Sequence, residues 1–421
     1  MKEILSKLVN VYKKYGFRGF CRKLWGRFRV DAIDRLGLSV RLRPERCRSE
    51  LRRLLAGDFD RVILWRSSFG FQVPLYQRPQ HISRALAKNR CLVFYEVNSM
   101  TDGVRELRER EANLVLFNFT NAPLRRMLAE ELAACPKPKY VEFYSTNWEM
   151  PLQRLKEYEA AGYSLIYEYV DHISADIAGT STLPRSIAEK YDYAMTHPEV
   201  FVVVTAELLR QDVLRRRGEG RLCFSSNGVD YGFFQRFEAG AEPDEAFRAV
   251  QRKGKPIVCY YGALAKWFDY ELVRKIADSG DYSVVLFGVR YDGSFDSELG
   301  GRENVFFLGP RDYSVLKYYA RECDVLMIPF RINDVTRSTS PVKIFEYMAL
   351  HKPIVVTDMD ECRQYRSVLI GRDHEEFLAK LREAMALRGD ADYIALLDRE
   401  ARENDWSQKA GAILDMLREN E

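Results

Sequence analysis

The chain has 421 residues, 47% of them hydrophobic and 30% charged, with 65 Lys and Arg against 61 Asp and Glu for a formal net charge of +4. That length predicts two domains, and the composition excludes a disordered chain, a collagen-like fibre and a small disulfide framework. A balance so close to neutral also counts against a globally basic nucleic-acid binder, so no nucleic-acid partner is expected.

The charge is unevenly spread. Lys2, Lys7, Lys13, Lys14, Arg18, Arg22, Lys23, Arg27 and Arg29 stand against Glu3 alone, a local charge of +8 that leaves −4 for the remainder. Within residues 1–30, Leu5, Leu8, Val9, Tyr12 and Tyr15 follow helix-face spacing, and Phe17, Phe20, Leu24, Trp25 and Phe28 alternate with cations. Gly16, Gly19 and Gly26 count against one unbroken helix. Three readings remain open for this basic appendage, set at residues 1–50: contact with an anionic bilayer surface, plain docking on the body, or, least favoured, the holding of a polyanion such as nucleic acid. Without a signal-peptide pattern or a run of 18 apolar residues, a cytoplasmic location is expected, with peripheral contact at the inner face of the membrane as its extension. Eight scattered cysteines without a CxxC suggest free thiols in a reducing compartment.

From residue 60 the pattern is α/β. Strands are predicted at 61–65, 90–97, 113–119, 140–144, 164–169, 201–205 and 221–225, with helices at 80–88, 123–134, 153–161 and 207–216. Residues 231–256, punctuated by Gly240, Pro243, Gly254 and Pro256, read as a linker. A second series follows, with strands at 257–261, 283–287, 305–308, 324–328 and 353–357 and helices at 269–277, 313–321, 342–350 and 375–387. Residues 391–421 read as one or two helices interrupted near 404–407. Strands alternating with helices imply mostly parallel sheets. The expected architecture is two doubly wound, Rossmann-like domains at 51–235 and 236–390 facing across a cleft, with 391–421 crossing back to the first.

Ligands of such sheets bind beyond the carboxyl ends of the strands. Gly70 follows the first strand of the first domain, and Gly262 and Gly288 follow the first two strands of the second. A residue without a side chain there lets backbone N–H groups approach a phosphate. Neither GxGxxG nor GxxxxGK[ST] is present, which counts against dinucleotide enzymes and P-loop nucleotidases. The richest stretch runs from Ile328 to Ala349. A strand ends, a loop carrying Arg331, Arg337, Ser338 and Ser340 follows, and Ser340-Pro341 opens a helix. Lys343 and Glu346, three apart, share one side of it. The ammonium suits a diphosphate and the carboxylate suits paired ribose hydroxyls, although the same spacing is also that of an ordinary surface ion pair.

This stretch resembles the donor-site signature of GT-B glycosyltransferases of the family 4-like "glycosyl transferases group 1" type. Arg78-Pro79-Gln80-His81, Tyr167-Glu168-Tyr169-Val170-Asp171, Ser226-Asn227-Gly228-Val229-Asp230 and Gly262 to Asp269 resemble further motifs of a bacterial surface-polysaccharide subgroup, in order. The resemblance implies a hexosyltransferase acting from a nucleotide-sugar donor onto a saccharide or lipid-linked acceptor. Glu346 would hold the ribose; Lys343, Ser340, Gly262, Gly288 and Gly70 would surround the diphosphate, with Lys266 a weaker candidate. His81, Asp171 and His172 would face the acceptor, Asp171 or His172 serving as base. Trp148 would stack on a sugar or fill the core. No metal or other cofactor is expected, because cations and helix N–H groups can stabilise the leaving diphosphate. One departure stands out: the Glu-x7-Glu pair of many retaining members has Ser338 at its first position. Arg331 or Arg337 would then take over its electrostatic work, and a non-catalytic binding subunit or an epimerase on the same architecture stays open.

Overall fold

The computed structural model describes residues 34–73, 76–174, 182–238, 242–291 and 293–420; the basic head at 1–30 lies outside them. Contacts group the chain into two compact units, one of residues 1–73 and 90–140, the other of 74–89 and 141–421.

In the first unit the strands are β1 (Arg61–Arg66), β2 (Cys91–Val97), β3 (Leu107–Glu111) and β4 (Leu114–Asn118), in the order β3-β4-β2-β1. β1 pairs with β2 and β2 with β4 in parallel, whereas β3 runs antiparallel to β4. β1, β2 and β4 are rich in Val, Leu and Phe and almost wholly buried. β3 reads LRERE, and its charged, half-exposed side chains make it a protected edge. Four charges in five residues concealed it from a hydrophobic reading. The helix Pro44–Leu55 buries Cys47, Leu51 and Leu54, and its Arg48 and Arg52 pair with Glu130 and Glu131 of the helix Ala122–Ala133.

The second unit carries a run of four strands and a six-stranded sheet. β5 (Lys139–Tyr144), β6 (Ser164–Tyr169), β7 (Phe201–Val204) and β8 (Leu222–Phe224) follow one another in sequence order. β9 (Ile257–Tyr261), β10 (Ser283–Phe287), β11 (Val305–Gly309), β12 (Val325–Ile328), β13 (Ile354–Thr357) and β14 (Val368–Gly371) form a six-stranded sheet ordered β11-β10-β9-β12-β13-β14. Its recorded pairings are all parallel. The first crossover steps outward from β9 to β10 and β11, and the chain then returns to the other side of β9. β9 and β12 are therefore the pair at which the strand order reverses, where open α/β sheets bind ligands.

The segment expected as a linker instead contains the helices Tyr231–Gln235 and Glu245–Gln251, with Phe234, Phe247 and Val250 in the core. The terminal helices are Ala391–Glu403 and Trp406–Arg418. The Ser226–Asp230 motif is what holds them. Val229 donates its N–H to Asn404 O and accepts that of Trp406, both at 3.0 Å, and Asp405 Oδ2 accepts the Tyr231 N–H. A Cβ on Gly228 would overlap the Asn404 carbonyl. The helix Trp406–Arg418 then packs on the helix Arg78–Lys88 and on β8.

Arg78 fastens this layer from inside. Only 4% exposed, it donates to Glu168 through Nε at 2.7 Å and Nη2 at 3.2 Å, to Ser226 O at 3.1 Å and to Ser225 Oγ at 3.3 Å. A second buried acid, Glu142, adjoins Glu168, and burial followed by the Glu168 charge pushes its carboxyl well above the ordinary range. One guanidinium thus serves one carboxylate, and the ionised form of Glu142 is disfavoured. Arg78→Ala leaves Glu168 buried and unpaired and is expected to cost about 3–5 kcal/mol in denaturant titration. A raised folded-state pKa means that Glu142 favours folding at low pH and loses that contribution as pH rises. Glu142→Gln should therefore be neutral or stabilising at pH 7 and flatten the decline of stability with pH.

Candidate donor site on the C-terminal sheet

The site begins where β9, β10 and β11 run out. Gly262 donates its N–H to Phe287 O at 2.9 Å, Leu264 to Val289 O at 2.9 Å, and Gly288 to Gly309 O at 3.0 Å, so the departing loops remain laced together. Gly262 has φ +153° and Gly288 φ +133°. A Cβ on Gly288 would overlap the Gly262 carbonyl, and one on Gly262 would lie 2.5 Å from both Lys343 Cε and Tyr260 Oη. Gly288 is required by the Gly262 backbone, and Gly262 by the side chains of Lys343 and Tyr260.

Beyond β12 the chain turns through Asp334–Arg337, capped by Asn333, which accepts the N–H groups of Val335 and Thr336 at 3.0 Å each. Ser338, at the position of the missing acid, is 2% exposed and directs its hydroxyl to the carbonyls of Asp334 and Val335 at 3.0 and 3.1 Å. It closes that turn. Ser340 Oγ accepts the Asn227 N–H at 3.1 Å, and Asn227 Nδ2 donates to Ser340 O at 2.6 Å. These bonds position the helix Val342–Ala349, whose N-terminus has Pro341 as cap residue and no side-chain cap. Its first N–H groups therefore offer partial positive charge to an anion.

Glu346, 3% exposed, accepts a hydrogen bond from Tyr261 Oη at 2.7 Å, and the Tyr313 phenol lies beside it. Burial pushes its carboxyl up, opposed by Tyr261 and then by the Lys343 charge. Burial pulls the Lys343 ammonium down, opposed by Glu346. Lys343 Nζ sits 5.9 Å from the centre of the Tyr260 ring. Among the described residues it has neither ion pair nor hydrogen bond, so its charge is uncommitted. Lys266, Arg331 and Arg337 are exposed. Arg331 N–H donates to Trp267 O at 2.8 Å, which ties the Lys266 loop to the one carrying both arginines.

Residues 255–386, which include all of these residues except Asn227, match the family model "Glycosyl transferases group 1". Over its larger part the chain also superposes on solved structures at low identity. The Thermosynechococcus elongatus sucrose-phosphate synthase aligns with TM-score 0.63 at 14% identity, covering 86% of this chain and 98% of its own. Alr3699/HepE of Anabaena, solved with UDP and glucose, gives 0.58 at 14% over 85% and 99%. The E. coli trehalose-6-phosphate protein bound to UDP-2-fluoro glucose gives 0.60 at 13% over 85% and 98%. The chain has the GT-B glycosyltransferase fold. A curated relative, the Bacillus subtilis (strain 168) protein TuaH, assigned as a teichuronic acid biosynthesis glycosyltransferase, is 23% identical over 258 residues, 58% of this chain. The chain spans 64% of the length of that relative.

Within this GT-B chain the structure brings Gly262, Gly288, Ser340, Lys343 and Glu346 together and adds Tyr261 and Asn227, which the sequence reading passed over. Tyr261 was hidden in a buried strand, where a tyrosine looks like core. Gly70 belongs to the other unit. There a Cβ would lie 2.6 Å from Thr101 Cγ2, and the N–H groups of Phe71 and Gln72 go to Asp102 Oδ1 at 2.6 and 2.8 Å. Asp171 and His172 stand beyond β6, with no recorded bond to the Lys343 helix. Asp171 is half-buried and His172 exposed, and burial pushes the Asp171 carboxyl up to about 6. His81, expected to face an acceptor, is only 4% exposed. It stacks on Trp406 at 5.0 Å and meets Tyr76 and Tyr313 edge-on at 5.6 Å each, and burial lowers it to about 3. The terminal helix has claimed it. Among the described residues, no group of three or more His, Cys, Asp or Glu side chains is placed to hold a metal, and no helix is long and apolar enough to cross a membrane.

Gly288→Ala should cost about 1–3 kcal/mol by overpacking and strain. Gly280→Ala, where φ is +75° but a Cβ would meet nothing within 4 Å, isolates the left-handed backbone strain alone and should cost less in the same denaturant titration.

Proposed function

We propose that this chain transfers a hexosyl group from a nucleotide-sugar to a saccharide or lipid-linked acceptor in the synthesis of a cell-surface glycan. The observation that carries the reading is the uncommitted Lys343 charge beside an uncapped helix N-terminus, one turn from a buried carboxylate already oriented by Tyr261. A nucleoside diphosphate has matching chemistry, with charge for Lys343 and the helix N–H groups and ribose hydroxyls for Glu346. When the glycosidic bond breaks, negative charge grows on the leaving phosphate oxygen, and preorganised cations stabilise it without reorganisation. Arg331 and Arg337 are available for the same charge. The proposed chemistry uses no metal, and Asp171 is its candidate base for the acceptor hydroxyl. The TuaH assignment supports a glycan acceptor, and the uridine ligands of the two neighbouring structures make UDP the first probe.

A second reading, a nucleotide-sugar binder without turnover, draws on Ser338, where a buried serine stands in place of an acid. Hydrolysis of UDP-hexoses by the full chain separates the two. A chain that binds UDP but never cleaves a donor is the binder, and one that binds no nucleotide is neither.

Calorimetry with UDP should show binding that weakens about 10- to 150-fold in Lys343→Ala, the range for losing a charge-assisted phosphate contact. Because burial lowers the Lys343 pKa and a phosphate partner would raise it again, wild-type binding above neutral pH should take up protons, read as a dependence of the heat on buffer ionisation enthalpy that Lys343→Ala removes. If Asp171 is the base, kcat/KM should fall on the acid side with a pKa near 6, and Asp171→Asn should abolish turnover while leaving UDP affinity unchanged. Stability runs the other way. The raised folded-state pKa makes the Asp171 contribution largest at low pH and lost as pH rises through about 6.

A further inference from the structure

Trp148 is the anomaly of the second unit. It is 60% exposed, whereas the described Trp65 and Trp406 are 0% and 4% exposed and Trp267 is partly buried against the core. The sequence left open whether it fills the core, and it does not; Met150, two residues on, is the buried anchor at 3%. Yet the loop that displays Trp148 is firmly built. Asn147, 3% exposed, donates its N–H to Tyr144 O at 3.1 Å and accepts the N–H groups of Glu149 and Met150 on Oδ1 at 3.1 and 3.2 Å. Ser186 Oγ donates to Trp148 O at 2.8 Å, and Lys190 Nζ donates to Asn147 O. Both come from the helix Arg185–Thr196. Lys190 is wholly buried, and burial pulls its ammonium down to about 7. Desolvating an amine is costly, and among the described residues the carbonyl just before Trp148 is the hydrogen-bond partner of this one. An indole left outside the core does not require such a foundation; a binding surface does.

The location gives the loop a purpose. Ser145 N–H donates to Glu168 O at 2.9 Å and Val170 N–H to Ser145 Oγ at 3.4 Å. The chains leaving β5 and β6 are therefore tied just before Trp148 on one side and Asp171-His172 on the other, at the carboxyl ends of parallel strands. An indole face is electron-rich and attracts the polarised C–H groups lining one face of a pyranose. Asp171 has no hydrogen bond or ion pair among the described residues and can accept from a sugar hydroxyl.

We propose that Trp148 is the stacking platform for a hexopyranose ring of the acceptor, with Asp171 and His172 at the ring's hydroxyl edge. This deepens the glycosyl-transfer reading and rests on it for the word acceptor. Binding of the sugar is measurable without it.

The test is saturation-transfer NMR on the full chain with a panel of methyl hexopyranosides, comparing wild type, Trp148→Ala and Trp148→Phe. The expected result is saturation concentrated on the C–H protons of one pyranose face for at least one glycoside. Affinity should fall about tenfold or more in Trp148→Ala and be largely kept in Trp148→Phe, with UDP affinity unchanged in all three. Equal binding by wild type and Trp148→Ala, or no glycoside binding by wild type, overturns the platform. Loss of UDP binding by wild type overturns the donor-site reading instead, and the two failures are distinguishable. In transfer assays the same variant should raise the acceptor KM about tenfold at nearly constant kcat and donor KM. An equal change in donor KM would also count against it.

Discussion

The Gly288 backbone approaches the Gly262 carbonyl too closely to leave room for a Cβ on Gly288, and a Cβ on Gly262 would in turn meet Lys343 Cε and Tyr260 Oη. This steric condition is where the donor-side arrangement starts. With it met, the ends of β9, β10 and β11 can be laced by Gly262, Leu264 and Gly288, and Lys343 can lay its side chain across Gly262. With the helix Val342–Ala349 drawn that near, Tyr261 reaches Glu346. A methyl group at either glycine would push against backbone or against Lys343, so the constraint runs from a bare Cα to the orientation of a charge.

The unit's buried charges are matched unevenly. Arg78 is fully satisfied by Glu168 and two serines, ionisation of Glu142 is disfavoured, and Lys190 is committed to one carbonyl. Low-dielectric surroundings make each unmatched charge expensive. Lys343 is the exception, held near a carboxylate but bonded to nothing described. At the proposed diphosphate site an ammonium with no hydrogen bond or ion pair among the described residues thus stands beside a buried carboxylate.

The sheets were largely legible because buried parallel strands are continuous Val/Ile/Leu/Phe runs: β6, β9 and β10 were read to the residue, and β1 within one. Helical spacing put Lys343 and Glu346 on one side of their helix but left a surface ion pair equally open, and their proposed roles came from the resemblance. Other features hid for physical reasons. β3 is an edge strand whose charges are its protection. Residues 231–256 carry Gly and Pro at their joints and aromatic anchors between them. His81 was expected to face an acceptor and Trp148 was given two readings, and periodicity does not reveal exposure; the histidine lies under Trp406 and the tryptophan stands in solvent. The role of Asn227 could not be read either, because its partner Ser340 is more than a hundred residues away.

The stacking of His81 on Trp406 also sets a schedule. Residues 74–89 belong to the second unit, yet their partner helix leaves the ribosome about 300 residues later. At ~5–20 residues per second that delay is roughly 15–60 s. During it the apolar face of the helix Arg78–Lys88, including Ile82, Ala85 and Leu86, lacks its final cover. Contacts so distant in sequence form slowly. The strap that completes the fold therefore also creates an interval in which the nascent chain depends on being shielded from aggregation.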